Sequence, residues 1–199
     1  MQLRHLRIRS SASNVPELLA ACPQLEQLEI STLLENRGDQ WEVVGGLTHL
    51  TLLKVVVQGE DLERFQSRCV DRLHRLRSLE IRSVGAGKLS PLNLAGLEEV
   101  TLACTTLHEV IPLAPTMQSL LRLTLEVTRS GRACMATMEG FADVLVSLPE
   151  LRYFCASYSE KPHPGAEAFF AAVLGRVAIW RSDIGRRFSW TRVSRRIER

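Results

Sequence analysis

The chain has 199 residues, of which 45% are hydrophobic and 24% charged, proportions that are ordinary for a soluble globular protein. Its formal net charge is +3, but residues 176–199 contain eight Arg, one Asp and one Glu, a net charge of +6 that leaves about −3 on the other 175 residues. No stretch approaches the roughly 18 consecutive apolar residues of a membrane span, and five widely spaced cysteines without a Cys-x-x-Cys motif argue against a disulfide framework.

The composition also bears on the cellular compartment. Scattered cysteines, the lack of an Asn-x-Ser/Thr acceptor and the lack of an apolar secretory core near the first residue favour a cytoplasmic or nuclear location. Residues 1–16 hold three arginines, several serines and no acidic residue, which leaves a mitochondrial transit peptide as the alternative. Because Leu3, Leu6 and Ile8 in this segment fit the repeat described next, we expect the cytoplasmic or nuclear location.

A Leu-x-x-Leu-x-Ile motif, or a close variant of it, occurs seven times. The first leucines step by 22, 25, 26, 21, 23 and 31 residues, mostly within the roughly 20–29 residue period of leucine-rich repeats. Apolar and polar residues alternate within each copy, which predicts a short strand with one buried face. Such a strand cannot bury its apolar face alone, so we expect the copies to stack into a curved solenoid. The copies begin at Leu3, Leu25, Leu50, Leu76, Leu97, Leu120 and, in degraded form, Leu151.

Two of the segments between strands carry helix start signals. Residues 14–22 predict a short helix that Asn14 caps, with Glu17 at the reciprocal position of a capping box. Residues 61–74 predict a second helix with a buried stripe at spacing four, capped by Asp61.

The other connections differ in kind. Residues 39–46 and 135–148 predict helices from their apolar spacing. Residues 85–96 and 107–119 contain several Gly and Pro, which disfavour helix and predict extended or 3₁₀ backbone.

A break at residues 159–165, Ser-Glu-Lys-Pro-His-Pro-Gly, separates the repeats from the rest. Residues 166–180 predict an apolar helix, and because a solenoid needs its last repeat covered, we expect this helix to cap it. The arginine-rich residues that follow show no clear period. The predicted organisation is therefore a leucine-rich-repeat domain at 1–158, with about seven repeats, and a capping helix and Arg-rich tail at 159–199.

The segment Cys22–Ile30, Cys-Pro-Gln-Leu-Glu-Gln-Leu-Glu-Ile, resembles the Cys-Pro-x-Leu-x-x-Leu-x-Leu turn of the leucine-rich repeats in F-box proteins. The resemblance covers residues 1–158 at the level of repeat pattern. It implies the ribonuclease-inhibitor-like class, an α/β solenoid with parallel strands on its concave face and irregular helices on its convex face. The chain departs from this family in having no F-box segment, so a role in a ubiquitin-ligase-like assembly rests on analogy. It also lacks the Asn or Cys ladder eight residues after the first Leu, where it has Ser11, Leu33, Gln58, Val84, Thr105 and Thr128.

Residues between the buried positions of each strand are expected to form three rows on the concave face. The central row alternates in charge over four strands, which predicts that neighbouring charges pair; it reads Arg7, Glu29, Lys54, Glu80, Thr101, Thr124 and Cys155. A second row reads His5, Gln27, Leu52, Ser78, Glu99, Arg122 and Tyr153, and a third reads Arg9, Ser31, Val56, Arg82, Ala103, Glu126 and Ser157.

The two flanking rows carry the predicted protein-binding site. Its residues gather on one part of the surface, and Arg and Tyr are common interface anchors; they are Arg82, Glu99, Arg122, Glu126 and Tyr153. We therefore expect a scaffold that binds a protein through its concave face. The resemblance implies substrate recognition in an F-box or ubiquitin-ligase-like assembly.

The tail supports an alternative function. Its arginines, with Phe188 and Trp190 between them, have the composition of a nucleic-acid or anionic-membrane contact; they are Arg186, Arg187, Arg192, Arg195, Arg196 and Arg199. No catalytic motif is present, and the Cys104–His108 pair lacks the further ligands that a zinc site needs. We expect no enzymatic activity, no cofactor, no metal and no small-molecule substrate.

Overall fold

The protein is an α/β fold built on one nine-stranded sheet. The computed structural model describes residues 3–9, 14–33, 40–84, 89, 92–104, 106–127, 135–158, 179–183 and 187–191. The strands lie in the order β1-β2-β3-β4-β5-β6-β7-β9-β8, and the first seven are parallel. They are β1 His5–Ile8, β2 Gln27–Leu33, β3 Leu52–Gln58, β4 Ser78–Val84, β5 Glu99–Cys104, β6 Arg122–Val127, β7 Tyr153–Tyr158, β8 Ile179–Asp183 and β9 Arg187–Thr191.

Within the described residues, four α-helices lie in the connections between the parallel strands. They are α1 Val15–Ala20, α2 Gln40–Gly45, α3 Leu62–Arg68 and α4 Met135–Ser147, so the helices predicted at 39–46 and 135–148 are confirmed. The connection from β5 to β6 contains two 3₁₀ segments, Leu107–Glu109 and Ile111–Thr116, as its prolines predict. None of the helices in the described ranges has the length and apolarity needed to cross a membrane.

Both predicted helix caps are wrong. Asn14 precedes α1, but its backbone (φ −99°, ψ 16°) lies outside the extended region that capping residues adopt, and its side chain makes no capping hydrogen bond. Asp61 also makes none, because it closes a 3₁₀ turn at Gly59–Asp61 that leads directly into α3. The second helix is shorter than predicted, since α3 ends at Arg68 and a 3₁₀ turn follows at Val70–Arg72.

One set of backbone hydrogen bonds recurs at the start of every strand from β2 to β7. The carbonyl oxygen of Arg4 accepts the N–H groups of both Glu26 and Gln27, at 2.8 and 2.9 Å. Equivalent pairs of N–H groups from the next strand are accepted by the carbonyl oxygens of Glu26, Thr51, Arg77, Glu98 and Leu121. These bonds satisfy the backbone N–H groups at the strand entrances.

The hydrophobic core lies between the sheet and the segments that connect its parallel strands. The first leucine of repeats two to seven is only 0–3% exposed, and the degraded seventh copy is as deeply buried as the others. On the helical side, Trp41 of α2 and Phe65 of α3 meet edge to face with ring centroids 4.9 Å apart. The three apolar positions of the motif are therefore core positions, as predicted for repeats two to seven.

The C-terminal region differs from the expectation. Ile179 and Trp180, the last two residues of the predicted capping helix, lie in β8, while residues 166–178 fall outside the described part of the chain. Residues 187–191 of the C-terminal tail form β9, which pairs antiparallel with β7 and with β8. This strand was missed because its alternation of polar and apolar residues spans only five positions, a window too short to stand out.

Candidate protein-binding face

The face of β1–β7 opposite the core, here called the open face, carries the three predicted rows. The central row is in register from Arg7 on β1 to Cys155 on β7, and the second row is in register from His5 to Tyr153. The third row is in register only from Val56 onwards, because β2 shifts by two residues and Leu33, rather than Ser31, pairs with Val56. Cys155 is an exception to the exposure expected of the central row, since it is buried.

Charges on the β1–β4 part of the open face pair with one another. Arg7 lies 2.7 Å from Glu29, and Lys54 lies 3.0 Å from Glu80, as the alternation of sign predicts. Glu80 is held from a second side by Arg82, at 3.2 Å. This part of the face is therefore a network of neighbouring opposite charges.

The structure brings the predicted binding residues together on β4 to β7. Arg122 lies 3.5 Å from Glu99, and Tyr153 is the register partner of Arg122 on the next strand. Arg82 reaches across β5 to Glu126, at 3.8 Å. The four charged residues remain 41–65% exposed, so their pairing leaves them accessible to a partner.

Sequence reasoning missed the residue that permits the longer of these two contacts. Ala103 of β5 stands in register between Arg82 and Glu126, and its small side chain leaves the space between them open. The sequence alone shows that Ala103 is the smallest residue of the third row. The strand register is needed to show that Ala103 lies between Arg82 and Glu126.

The open face is recessed. A concavity of about 410 Å³ extends from Arg7 on β1 to Glu126 on β6, and paired charges form much of its lining. Among the lining residues, Ile30 of β2 and Val55 and Val56 of β3 are apolar. A recess of this kind, wide and lined by polar side chains, suits a protruding part of a macromolecule better than a small apolar ligand.

Two of the described thiols, those of Cys69 and Cys104, are poor nucleophiles. Burial raises the pKa of the Cys69 thiol far above its ordinary value. Burial, together with the negative charge of Glu109, raises the pKa of Cys104 to about 12. Since the thiolate is the reactive form, neither cysteine is activated for chemistry near neutral pH.

In the ranges that the structure describes, no group of three or more His, Cys, Asp or Glu side chains is arranged to hold a metal ion. The Cys104–His108 pair is therefore not part of a larger ligand cluster among those residues.

The predicted nucleic-acid contact is described only in part. Arg187 lies in β9 as the register partner of Ser157, whereas Arg186, Arg192, Arg195, Arg196 and Arg199 fall outside the described residues. Positions 188 and 190 pair in register with Ala156 and Phe154, two buried residues of β7.

No protein-family model matches the chain, and no curated protein matches it.

Proposed function

We propose that the chain is a leucine-rich-repeat solenoid that binds a protein partner through its open face. The observation that carries the proposal is that each parallel strand joins the next one in the same way. Seven parallel strands follow one another in sequence order, and the same paired hydrogen bonds join each strand to the next. Neighbouring repeats in a solenoid contact only each other, and the extended surface they create is the part that such proteins use for binding.

The charge balance of the open face favours a protein over a nucleic acid. The ion-paired residues of its rows comprise four cations and four anions, which are Arg7, Lys54, Arg82, Arg122, Glu29, Glu80, Glu99 and Glu126. A surface that grips phosphates carries an excess of Lys and Arg. A pattern of both signs instead selects a partner with the complementary pattern.

The β4–β7 part of the open face is the proposed centre of contact. It presents Arg122 and Tyr153 side by side, two residue types that dominate binding energy in protein interfaces. Strands in a sheet are rigid, so a surface built on them loses little conformational entropy when a partner docks.

The partner class rests on the resemblance alone. F-box proteins use their repeats to select substrates for a ubiquitin ligase, and we extend that role to this chain as part of the proposal. The resemblance identifies no particular substrate.

A charge reversal at the proposed centre tests the function. The immobilised chain is exposed to a cell extract in about 0.5 M NaCl, where exposed charges more than a few ångströms apart are screened. Arg122→Glu should lose the captured protein. The matched control is Arg64→Glu on α3, because the Arg64 side chain is as exposed (67%) as that of Arg122 (65%) but lies on the helical side of the sheet. Equal capture by the two variants would place the partner elsewhere.

The role of the arginine-rich tail is tested by a separate truncation experiment. Removing residues 176–199 would also remove β8 and β9 and uncover β7, so the informative truncation ends at Thr191. Capture that survives this truncation supports the open face. Capture of nucleic acid or anionic lipid, lost both on truncation and at high salt, would move the function to the arginine tail.

A further inference from the structure

On the helical side of the sheet, a line of arginines follows the end of α2. Arg68, the last residue of α3, lies 2.7 Å from Glu42 of α2. Four residues later, the Arg72 side chain lies against the last residue of α2, since a Cβ atom built on Gly45 would stand 3.2 Å from its Cδ. The line therefore runs along α2 towards the turn that leads into β3.

A third arginine reaches that turn. Nη1 of Arg75 lies 3.2 Å from Nδ1 of His49, the residue at the equivalent position one repeat earlier. A guanidinium group has only donors, so Nδ1 accepts this hydrogen bond and the ring proton of the neutral imidazole is on Nε2. A neutral ring, rather than a carboxylate, therefore holds Arg75 in place. The residues Arg68, Arg72 and Arg75 are here called the arginine seam.

Two of the three arginines in the seam have no negative partner among the described residues. Glu42 neutralises Arg68, but in the described ranges no carboxylate oxygen lies within 4 Å of Arg72 or Arg75. Both side chains are exposed, and the helices and turns that surround them, at 40–58 and 62–84, are fully described. Arg122 on the open face, by contrast, has Glu99 at 3.5 Å. The seam therefore carries two positive charges that its own fold leaves unneutralised.

The surplus of positive charge is confined to a short segment. Residues 62–77 contain five arginines and two acidic residues, a net charge of +3, within residues 1–175, which together carry about −3. Glu42 contacts the seam, and Asp71 lies next to it in the sequence. A nucleic acid or an anionic membrane presents negative charge over a wide area and would meet these carboxylates as well. The narrow pattern instead fits one compact anion with a double charge.

A phosphorylated side chain is such an anion. It carries a charge of about −2 near neutral pH and three acceptor oxygens, whereas a carboxylate carries one charge and two oxygens. Arginine clusters recognise phosphorylated segments through charge-assisted, often bidentate, hydrogen bonds. We propose that Arg72 and Arg75 bind a phosphorylated serine or threonine side chain of a partner protein, and that His49 positions Arg75 for this contact. The site lies on the helical side of the sheet, apart from the open-face centre around Arg122.

A short peptide without other charges is the probe. Acetyl-Ala-Ala-phosphoserine-Ala-Ala-amide is titrated into the full chain at about pH 7.5 in about 0.1 M NaCl. The Nε–Hε signals of the arginines in NMR spectra report on each side chain separately. We expect saturable shifts of the Arg72 and Arg75 signals with this phosphopeptide and none with the unphosphorylated peptide. A peptide with aspartate in place of phosphoserine should bind roughly tenfold more weakly, because it has less charge and fewer acceptor oxygens.

Removal of single charges tests the two arginines. Arg72→Ala and Arg75→Ala should each weaken binding of the phosphopeptide about tenfold, since each loses a charge-assisted hydrogen bond. The matched control is Arg64→Ala, because Arg64 is an exposed arginine of α3 that already has Asp61 at 3.9 Å. Arg64→Ala should bind as the wild type does. Arg122→Glu should also do so, which keeps this result independent of the open-face function.

A further variant keeps the test decisive if an arginine variant does not fold. His49→Asp places a carboxylate beside Arg75, where the imidazole now accepts its hydrogen bond. The new carboxylate should occupy Arg75 from within the chain. We expect binding of the phosphopeptide to fall about tenfold, while the thermal midpoint does not fall because an ion pair has been added.

Four results would overturn the proposal. The first is that the phosphopeptide leaves the Arg72 and Arg75 signals unchanged, and the second is that the unphosphorylated peptide shifts them equally. The third is binding of the phosphopeptide by Arg72→Ala, Arg75→Ala and His49→Asp as strong as that of the wild type. The fourth is a response of the same two signals to single-stranded DNA or to vesicles with phosphatidylserine that exceeds the response to the phosphopeptide, since a nucleic acid or a membrane would then be the occupant.

Discussion

Gly45, the last residue of α2, lies directly against the C-terminal end of α3. A Cβ atom placed there would overlap the backbone carbonyl oxygen of Arg68 and stand 3.2 Å from Cδ of Arg72. The overlap is with backbone, so no rotation of a side chain removes it. Gly45→Ala must therefore push α2 away from α3.

Two opposing effects determine how much Gly45→Ala changes the free energy of unfolding. Alanine is intrinsically better than glycine inside a helix by about 1 kcal/mol, but Gly45 ends α2 and gains less than that. Forcing an extra methyl group into a packed contact costs about 1–3 kcal/mol. The displacement would also strain the Trp41–Phe65 ring contact and the Glu42–Arg68 ion pair, which is 2.7 Å long. We expect Gly45→Ala to lower the free energy of unfolding by about 1–2 kcal/mol.

Urea denaturation followed by circular dichroism measures this loss. Gly46→Ala is the control, because the nearest atom to its added Cβ is the Val43 carbonyl oxygen at 3.3 Å, outside α3. The control should stay within about 0.5 kcal/mol of the wild type. Stability of Gly45→Ala equal to or above the wild type would show that α2 and α3 are not packed as described.

Three further predictions concern other parts of the molecule. Because burial raises the pKa of the Cys69 and Cys104 thiols above the unfolded value of about 8.5, their contribution to stability is complete below that pH and is lost as the pH rises towards their folded values. The urea midpoint should therefore fall between pH 7.5 and 10, and less so when both are replaced by Ala. Glu80→Gln should cost about 1 kcal/mol at low salt and less at high salt, since it weakens two partly exposed ion pairs. Gln66→Leu should cost about 1–3 kcal/mol in the same assay, because Gln66 is buried and its Oε1 accepts the Asn93 N–H at 3.0 Å.

Each of these has an outcome that contradicts it. Rapid labelling of all cysteines in the native protein at pH 8 would show that Cys69 and Cys104 are not buried. A salt-independent effect of Glu80→Gln would mean that packing, rather than charge, supports Glu80. Unchanged stability in Gln66→Leu would mean that the Asn93 N–H reaches water or another acceptor.

The parallel strands were predictable because the motif is strong and repeats. Seven copies at similar spacing fix which residues are buried, and an error in one copy is corrected by its neighbours. The degraded copy at Leu151, Phe154 and Ala156 was identified only because the period required a strand there. The helix caps at Asn14 and Asp61 failed because each depends on local dihedral angles, which the repeat does not determine.

For the open face, the sequence predicts which residues share a row, but it does not predict which side chains within a row contact each other. Alternation within a strand places Arg82 and Glu126 on the same face, and register places them in the same row. That they pair across β5 depends on side-chain length and on the small residue between them. The shift at β2, which replaces Ser31 by Leu33 beside Val56, could not be read from spacing because a bulge leaves the motif itself intact.

The arginine tail and the open face should differ in their response to salt. Binding by the arginines of the tail would be electrostatic, and purely electrostatic binding weakens steeply as salt rises. The open face carries balanced charges, so its binding should respond weakly to salt, and a salt titration separates the two functions.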